Sequence, residues 1–479
     1  MNNKKIIFII PPSKALTLKF VSYQQPINLA YLAAAVIKAG FTAEIWDYGI
    51  EEFIEDDFID RIRECSPYAI GVHCKTFNII QGNYLAGIVK KYFPEIKIIV
   101  GGPHSSAIPI ETLKQFPYFD IAVVGEGEAT IVDLCREISD GNNLKNVKGI
   151  AFREGSNAIF TEKRELIRNL DEIEYPARYL LSKNLYNKHH STRGISPLNH
   201  NVTEIFTSRG CPGKCIFCAV NIAYGNQVRF RTVDNVLGEV EECISRYNYN
   251  HIIIQDDTFT LNKNRVSGIL DGFKRLGLKS WSCDSRVDTV SEEMLKEMAS
   301  SGCKKISFGV ESGSERILKL IKKNISVEQV RRAVRWAKKS GIGIIECTFI
   351  IGSHPDETYD DVQATWKLIK EVSSDTISVS IIVPYPGTEI YKLMNEGGYI
   401  DSKKWSDFQM IGTKPGWHTA NFSSLELMRL QRKLINRYYF SPKYLIKSMS
   451  KIKSAKEIQY LFKTSLEYIR FITKNKIKN

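Results

Sequence analysis

Short apolar runs that alternate with amphipathic stretches restrict the fold of this chain more than any other feature of its sequence. In the first 150 residues, each apolar run is followed by a segment whose apolar residues recur three and four positions apart, the period of a helix that buries one face. Repeated β–α units of this kind predict an α/β fold, a parallel sheet with helices on both faces. The strands are predicted at residues 5–10, 42–46, 69–72, 96–100 and 121–124.

The same alternation returns after an irregular stretch in the middle of the chain, and six further units predict a partial (β/α)6 barrel of the TIM type. Its strands are predicted at residues 203–207, 251–255, 280–284, 305–310, 342–351 and 376–383, and a hairpin precedes them at 149–153 and 158–161. The predicted domains are a doubly wound Rossmann-like sheet at 1–147, a linker at 148–200, a core barrel at 201–395 and a helical, basic C-terminal region at 396–479.

The net charge is distributed unevenly along the chain. Of the formal +13, residues 421–479 contribute +11 through fourteen basic and three acidic side chains, so the rest of the protein is nearly neutral. A basic tail alone is weak evidence for nucleic-acid binding, and no nucleic-acid partner is expected. The tail is interpreted either as a helical cap whose aromatic residues pack on the barrel or as a surface that meets anionic lipid, an acidic partner or nucleic acid.

The location of the protein follows from its apolar and cysteine content. No apolar run approaches the roughly 18 residues that a membrane-spanning helix needs. The apolar run near the N-terminus is five residues long and stops at Pro11 and Pro12, so it predicts a buried strand and not an export signal. Ten cysteines in 479 residues are too few for a disulfide scaffold. We therefore expect a cytoplasmic protein, with membrane association through the tail as an option.

Three of the ten cysteines, Cys211, Cys215 and Cys218, lie within eight residues directly after the first predicted barrel strand. Three thiolates in one loop can converge on one metal centre. Iron–sulfur clusters are usually held by four cysteines, so three would leave one iron open to another ligand. A structural zinc site would need a fourth ligand, for which Cys243 and His251 are the nearest candidates.

The spacing Cys-x-x-x-Cys-x-x-Cys, with Phe217 before the last cysteine, resembles the radical SAM superfamily. The resemblance implies that Cys211, Cys215 and Cys218 hold a 4Fe–4S cluster whose open iron binds S-adenosylmethionine (SAM). Reduction by a donor such as flavodoxin or ferredoxin would then release a 5′-deoxyadenosyl radical. Phe217 would lie beside SAM, and no further catalytic residue is assigned.

Polar residues at the ends of later barrel strands match the SAM contacts of that superfamily. Asp256 and Asp257 would meet the SAM amino group, and Ser285 and Arg286 its carboxylate, because a guanidinium fork matches a carboxylate. Glu311 would meet the ribose hydroxyls. Their common place at carboxyl strand ends of one barrel supports these expectations.

The first domain resembles the cobalamin-binding domain that precedes the barrel in one radical SAM subgroup, through residues 26–35, 101–104 and 124–128. Parallel sheets bind ligands at the carboxyl ends of their strands, here 11–13, 73–76, 101–104 and 125–128. The residues Pro11-Pro12-Ser13 replace the histidine motif that many cobalamin proteins carry, so the resemblance implies water, or no protein residue, below the cobalt. The implied cobalamin contacts are Thr76, Gly101, Gly102, His104, Gly125 and Glu126.

These resemblances imply an enzyme that methylates an unactivated carbon of a small-molecule or lipid-like substrate. One alternative is a cobalamin-type radical SAM cyclase or ring-rearranging enzyme without methyl transfer. Another is a methylthiotransferase that acts on RNA, although the surroundings of Cys65, Cys74 and Cys135 do not match a second cluster site. A binding module stabilised by zinc or a cluster is the non-enzymatic alternative.

Overall fold

The computed structural model describes residues 4–12, 24–141, 143–183, 185–186, 201–409 and 414–449. Every structural statement below concerns these residues. Ser13 and the part of the basic tail that follows residue 449 lie outside them, and so do residues 187–200 of the predicted linker.

Seven strands form the first sheet, in the order β2-β1-β3-β4-β5-β6-β7. The first five are parallel, as the alternation predicts, and β6 and β7 continue the sheet as antiparallel strands. The predicted hairpin therefore extends this sheet past residue 147. The strands are β1 (Lys5–Ile10), β2 (Thr42–Asp47), β3 (Ala69–His73), β4 (Lys97–Gly101), β5 (Ile121–Val123), β6 (Ile150–Glu154) and β7 (Asn157–Phe160).

Helices cover both faces of this sheet, which is why strands such as β1 are apolar along their whole length and not at alternate positions. Strand order changes direction between β1 and β3, and ligands of doubly wound sheets bind at such a switch point, beyond the carboxyl ends of the strands. The helices are α1 (Ile27–Lys38), α2 (Glu55–Cys65), α3 (Ile79–Tyr92), α4 (Pro103–Ala107), α5 (Pro109–Gln115) and α6 (Glu128–Asp140).

Six parallel strands form the second sheet in unbroken chain order, β15-β14-β13-β12-β11-β8, which is the open, partial barrel that the sequence predicts. A short antiparallel pair, β9 and β10, flanks its first strand. The strands are β8 (Val202–Ile205), β9 (Ser208–Arg209), β10 (Arg229–Phe230), β11 (His251–Ile254), β12 (Ser280–Ser285), β13 (Cys303–Glu311), β14 (Ile344–Ile351) and β15 (Thr376–Ile381).

The barrel helices carry buried apolar faces that join one continuous core. Several begin with serine or threonine caps; at Ser326, for example, the side chain accepts from the Gln329 amide. The helices are α7 (Val220–Tyr224), α8 (Val233–Ser245), α9 (Lys263–Arg275), α10 (Glu292–Ser300), α11 (Glu315–Leu320), α12 (Val327–Ser340), α13 (Tyr359–Val372), α14 (Glu389–Glu396), α15 (Ser424–Tyr439) and α16 (Pro442–Met449).

Helix α15 closes the free edge of the barrel at β15. Its residues Leu427, Leu430 and Leu434 are buried, and the Tyr439 hydroxyl donates to the carbonyl of Ile377. The described start of the basic region is therefore a packed cap, the first of its two interpretations. Among the described residues, no helix combines the length and the apolar character that crossing a membrane requires.

The carboxyl edge of the first sheet faces the start of the barrel. Arg209, at the end of β9, donates to Glu126 at 2.8 Å and also pairs with Glu128. Farther along the same interface, Thr203 donates to Gln25 at 2.8 Å and Tyr186 donates to Asp47 at 2.8 Å. The two sheets thus present their ligand-binding edges to each other.

Candidate active site

The three-cysteine loop begins after β9 and ends at α7. Its turn is closed by the Cys218 amide, which donates to the Cys215 carbonyl at 3.1 Å. A β-carbon at Gly213 would lie 3.3 Å from Cys211 Sγ, 3.8 Å from Cys215 Sγ and 3.5 Å from Arg286 Nη1. Two thiols and one cation thus pack closely around Gly213, and this donor set fits an anionic iron–sulfur cluster.

Burial favours the protonated form of two of the thiols, and two nearby cations partly oppose that effect at one of them. Burial raises the pKa of Cys218 to about 11. Burial also raises the pKa of Cys215, while the positive charges of Lys323 and Arg286 oppose that rise. Cluster binding must therefore displace thiol protons, and the two cations stabilise the resulting negative charge.

The two fourth ligands considered for a zinc site are engaged elsewhere. Cys243 is buried in the barrel core. The His251 ring lies 2.7 Å from the Ser280 hydroxyl and 3.2 Å from the Ser282 hydroxyl. Within the described part of the chain, no three thiol, imidazole or carboxylate side chains gather closely enough to hold a single metal ion.

The adjacent carboxylates at the end of β11 have different surroundings. The Asp256 carboxylate accepts from the amide and hydroxyl groups of Thr207 and Ser208, which joins the ends of β8 and β11. Asp257 is half-buried, and burial together with the neighbouring Asp256 charge raises its pKa to about 6, while a backbone hydrogen bond from Gly210 opposes the rise. Asp256 is therefore structural in this arrangement, and Asp257 is the better placed of the two for a ligand.

Ser285 and Arg286 lie at the end of β12 with most of their polar atoms bonded. The Ser285 hydroxyl is paired with that of Thr260. Arg286 donates to both carboxylate oxygens of Asp288 at 2.9 Å and to the Lys323 carbonyl at 2.9 Å, so its Nη1 is the end that faces the cysteine loop. Arg286 thus belongs to the charge environment of the thiols.

Glu311 ends β13 in a left-handed conformation, with φ of +69°, at a register shift of the strand. Its carboxylate accepts from Lys323 Nζ at 2.7 Å, and both side chains are buried. A non-glycine residue in this conformation is typical of functional sites. Phe217 is partly buried against the barrel core beside this edge.

A cavity of about 360 Å³ opens at the carboxyl edge of the first sheet. Most of its lining is apolar, and part of it comes from the barrel, because Ala219, Val220, Ala223 and Tyr224 follow directly on the last cluster cysteine. The sheet side contributes apolar residues of β1, α1, β4, β5 and α6: Phe8, Leu29, Leu32, Ile99, Val123 and Ile131.

Four of the six residues implied as cobalamin contacts line this cavity, namely Gly101, Gly102, Gly125 and Glu126. Gly102 has φ of +108°, and a β-carbon there would lie 2.5 Å from the Cys74 carbonyl and 3.0 Å from the His73 ring. Only glycine avoids that contact, so Gly102 lets the end of β4 pack closely against the end of β3 at the rim of the cavity. An apolar cleft edged with glycine at the switch point fits the planar nucleotide base of a cobalamin.

The other two implied contacts, Thr76 and His104, lie behind the cavity. His104 is fully buried, its Nδ1 is 3.3 Å from the Thr76 hydroxyl, and its ring packs on Trp405 and Phe116. Helix α4 presents Pro103 and Ser106, and not His104, to the cavity. The structure therefore separates these two residues from the other four.

Glu126 takes part in a buried ion cluster between the two sheets. Its carboxylate accepts from Arg209, from Arg229 at 2.7 Å and from the Ile167 amide at 2.9 Å. Arg209 also pairs with Glu128 and lies two residues before Cys211. The cluster thus connects the loop that edges the cavity directly to the loop that carries the thiols.

Several residues of these two sites are missing from the sequence-based expectations. Residues 73–76 end a predicted strand, but the resemblance points to Thr76, whereas the structure directs His73 to the cavity. Asn28 and Arg209 also line the cavity, and Lys323 reaches the thiols from a loop between α11 and α12. No local spacing marks Lys323, since its neighbour Lys322 carries the same charge but pairs with Glu389 instead.

Comparisons with known proteins agree with this geometry. Residues 205–369 match the radical SAM superfamily, and residues 13–135 match the B12 binding domain. A Pyrococcus horikoshii protein described as an uncharacterized methyltransferase is 33% identical over 451 residues, which cover 94% of this chain and 95% of that one.

Two further comparisons extend over most of the chain. The cytidylyl-2-hydroxyethylphosphonate methyltransferase of Streptomyces wedmorensis is 24% identical over 84% of this chain and 83% of its own. The solved structure of the cobalamin-dependent S-adenosylmethionine radical enzyme OxsB, with aqua-cobalamin and S-adenosylmethionine bound, covers 98% of this chain and 72% of its own, with a TM-score of 0.73 and 17% identity. That likeness shows the shared fold.

Proposed function

The chain belongs to the radical SAM superfamily, in the group that carries a B12-binding domain before the barrel, and we propose that it methylates an unactivated carbon of a lipid-like small molecule. It is an enzyme of the cobalamin-dependent radical SAM methyltransferase family, whose cofactors are a 4Fe–4S cluster, SAM and cobalamin. Such an enzyme needs a small-molecule substrate and a reductant, for which a flavodoxin or ferredoxin is our proposal.

The cofactors, when bound, supply a carbon radical and a transferable methyl group. The residues of this chain hold and separate them. Cys211, Cys215 and Cys218 are proposed to ligate three irons of the cluster, and the cations Arg286 and Lys323 lower the cost of the negative charge there.

SAM carries an ammonium and a carboxylate, and the barrel edge offers partners for both. We assign the ammonium to Asp257, because the four hydrogen bonds that Asp256 accepts leave that residue no such role. The Glu311–Lys323 pair is proposed to bond the ribose hydroxyls through the carboxylate, which the left-handed turn at Glu311 presents at the strand end. Arg286 Nη1 is proposed to bond the SAM carboxylate beside the thiols.

One observation carries the proposal of methyl transfer, as distinct from radical chemistry alone. The cavity at the edge of the first sheet is lined by the residues that follow Cys218, so a methyl-carrying group held there and a substrate radical formed at the cluster share one space. Such chemistry requires that water be kept from a reactive intermediate, and we propose that Ala219, Val220 and Ala223 contribute to this.

The test is anaerobic incubation of the reconstituted enzyme with dithionite, methylcobalamin, SAM labelled with ¹³C in its methyl group, and lipid or aqueous extracts of the source cells. We expect 5′-deoxyadenosine and a labelled product in the lipid fraction. Labelled product in the aqueous extract alone would contradict the lipid assignment. Formation of 5′-deoxyadenosine without label in any product would contradict methyl transfer and favour the cyclase alternative.

A surface at the C-terminal end supports the lipid-like substrate. We define the C-terminal surface as Phe440, Lys443, Leu445 and Ile446, on and before α16. The three apolar side chains are 56%, 48% and 70% exposed, and Lys443 is exposed between them. Exposed apolar residues interleaved with lysine are typical of peripheral contact with anionic membranes.

Vesicle binding tests this surface. We expect the protein to co-sediment with vesicles that contain phosphatidylglycerol, and less with vesicles of phosphatidylcholine alone. The double variant Leu445→Ser/Ile446→Ser should bind several-fold less, whereas Leu425→Ser, at the exposed start of α15, serves as the control. A truncated variant for the same measurement should end after Met449. Ending it at residue 421 would remove α15, which closes the barrel edge. Equal sedimentation of the double variant would remove the membrane proposal.

A further inference from the structure

A second cavity, of about 260 Å³, lies between the end of helix α13 and the segment that joins α15 to α16. Its lining contains four cations and no acidic side chain, and the rest of it is aromatic, aliphatic or hydroxylic. The cations are Lys370, Arg437, Lys443 and Lys447. A concave surface that carries charge of one sign attracts ligands of the opposite sign, so the lining indicates an anionic ligand.

One of these cations already has partners within the protein. Lys447 Nζ lies 2.9 Å from the Asp375 carboxylate and donates to the carbonyls of Ser373 and Ser374 at 3.1 Å. Lys338 donates to the carbonyl of the last residue of α13 at 2.6 Å. Cations commonly satisfy the carbonyls at a helix C-terminus. The end of α13 is thus satisfied without the other three cations of the cavity.

Lys370, Arg437 and Lys443 are exposed, and among the residues that the structure describes none of the three forms an ion pair. The acid next to Lys370, Glu371, pairs with a residue of α12 at 2.8 Å instead. Lys370 Nζ and Arg437 Cζ lie 5.7 Å and 5.9 Å from the centroid of the Trp366 ring, which keeps these two cations close together. Three neighbouring cations therefore lack a counter-charge.

The positive charges also act on one another. Burial lowers the pKa of Lys338, and the charges of Lys447 and Lys443 lower it further, while Asp375 opposes this effect. A bound anion would relieve such repulsion. The cavity also includes part of the first turn of α16, and the N-terminal end of a helix favours negative charge.

We propose that this cavity binds the phosphate group of an anionic phospholipid. The inference rests on the proposed function only in its membrane contact, because Lys443 belongs both to this cavity and to the C-terminal surface. Lysine and arginine donors match the oxygens of a phosphate. Pockets for whole small molecules begin at about 300 Å³, so this volume suits a headgroup whose acyl chains remain outside.

The side chains beside the cavity favour a lipid over other sources of phosphate. On α16, Tyr444 and Lys447 line the cavity, and Leu445 and Ile446 between them are exposed. Acyl chains of a lipid whose phosphate occupies the cavity would cover these aliphatic side chains. Free phosphate or a nucleic acid would leave them in water.

The experiment is calorimetric titration of the full-length enzyme with dihexanoylphosphatidylglycerol below its micelle concentration. We expect saturable binding that is about tenfold weaker in Lys370→Gln/Arg437→Gln. The matched control is Lys367→Gln/Lys433→Gln, which removes the same charge from exposed positions of the same two helices outside the cavity and should keep the native affinity. Lys443→Glu, at an exposed residue of the third helix, should also weaken binding if the first variant folds poorly.

Several outcomes would overturn the inference. They are the absence of saturable binding in the native protein, equal affinities in the two double variants, and an unchanged affinity in Lys443→Glu. Inorganic phosphate that binds as tightly as the lipid would assign the cavity to a free anion. A single-stranded RNA that binds more tightly than the lipid, and is lost in Lys370→Gln/Arg437→Gln, would assign it to nucleic acid.

The titration separates this inference from the proposed function, because it needs neither turnover nor a bilayer. A protein that binds the monomeric lipid but transfers no methyl group would contradict the proposed function and leave the inference standing. The same holds for a protein that binds the monomeric lipid but does not sediment with vesicles, which would remove only the membrane contact.

Discussion

The two strand edges that face each other in this protein differ in composition. The barrel edge carries charges, with Asp257, Arg286 and the Glu311–Lys323 pair around the thiols. The sheet edge carries glycine and mostly apolar side chains around an open cavity, and its charged residues Glu126, Glu128 and Arg209 are paired with one another. A small zwitterion such as SAM is recognised by matching charges, whereas a large flat cofactor is held by shape and apolar burial. The two edges therefore differ in the chemistry of their side chains, and we expect each edge to select its own cofactor through that chemistry.

The comparison predicts that the two edges load their cofactors independently. The largest effect is expected for Cys215→Ala, which should abolish cluster binding and formation of 5′-deoxyadenosine, because two thiolates cannot hold the cluster. Cobalamin binding, followed by its visible absorbance, should persist. Cys65→Ala, at a half-buried cysteine beside Glu44, should keep the iron content of the native protein. Loss of cobalamin together with iron would show that the two edges do not bind their cofactors independently.

The ion cluster between the edges should couple them. Arg209→Met leaves the buried carboxylate of Glu128 without its ion-pair partner and Glu126 with Arg229 alone, so we expect the free energy of unfolding to fall by roughly 3–5 kcal/mol. Chemical denaturation measures this fall. Arg168→Met, at an exposed pair with Glu165, should change the free energy by less than about 1 kcal/mol.

Arg209→Met also tests whether the ion cluster positions the thiol loop. If Arg209 aligns the thiol loop with the cavity, the ratio of 5′-deoxyadenosine to methylated product should rise in the folded Arg209→Met enzyme. A ratio equal to that of the native enzyme would mean that the ion cluster holds the two sheets together and does not align the thiol loop.

Filling the sheet edge should weaken cobalamin binding and spare the barrel. Gly102→Ala forces a β-carbon against the Cys74 carbonyl in a left-handed conformation, at a cost of roughly 1–2 kcal/mol. We expect cobalamin affinity to fall about tenfold, as titrated by absorbance. Gly40→Ala is the control, because Gly40 also has a positive φ (+89°), its β-carbon would meet nothing within 4 Å, and it does not line the cavity. Equal loss in both variants would contradict the role of Gly102.

The smallest effect concerns pH at the barrel edge. The Asp257 carboxylate must be ionised to bond the SAM ammonium, and its pKa is raised to about 6. SAM affinity in equilibrium binding should therefore fall about fourfold between pH 7.5 and 5.5. Asp257→Asn should bind weakly at both pH values. A native affinity independent of pH would exclude Asp257 as the ammonium partner.

The raised pKa of Asp257 also predicts in which direction the free energy of unfolding changes with pH when SAM is absent. The folded pKa of Asp257 lies above the ordinary value of 3.8, so the cost of its ionisation to folding is fully present above pH 6 and is lost progressively as the pH falls from 6 to 3.8. The difference in unfolding free energy between Asp257→Asn and the native protein should be larger at pH 7.5 than at pH 5.

Much of the fold could be predicted from the sequence, because local periodicity reflects which face of each element is buried. The strands of both sheets fall within a few residues of the predicted positions. The antiparallel strands β6 and β7 show the limit. A hairpin is a local signal, but its attachment to β5 depends on contacts that span the chain.

The candidate site likewise has features that the sequence predicts and features that it does not. The spacing of Cys211, Cys215 and Cys218 is a local signal that identifies the cluster loop. No local signal distinguishes the surroundings of Asp256 from those of Asp257. The hydrogen-bond partners of Asp256 follow β8, almost 50 residues earlier in the chain. His73 and His104 likewise could not be separated from sequence, because the direction of each side chain depends on how β3 and α4 pack.

The sequence by itself therefore determined the two α/β units and the family, and it predicts the cluster ligands, because short spacings and repeated apolar periods are local features of the chain. The tertiary structure alone decided that the glycine-edged cavity lies beside the segment after the thiol loop, that Arg209 pairs with Glu126 and Glu128, and that His73 and not His104 lines the cavity. The physical reason is that these relations join side chains far apart in the chain, whose distances are fixed only when both sheets pack their carboxyl edges against each other.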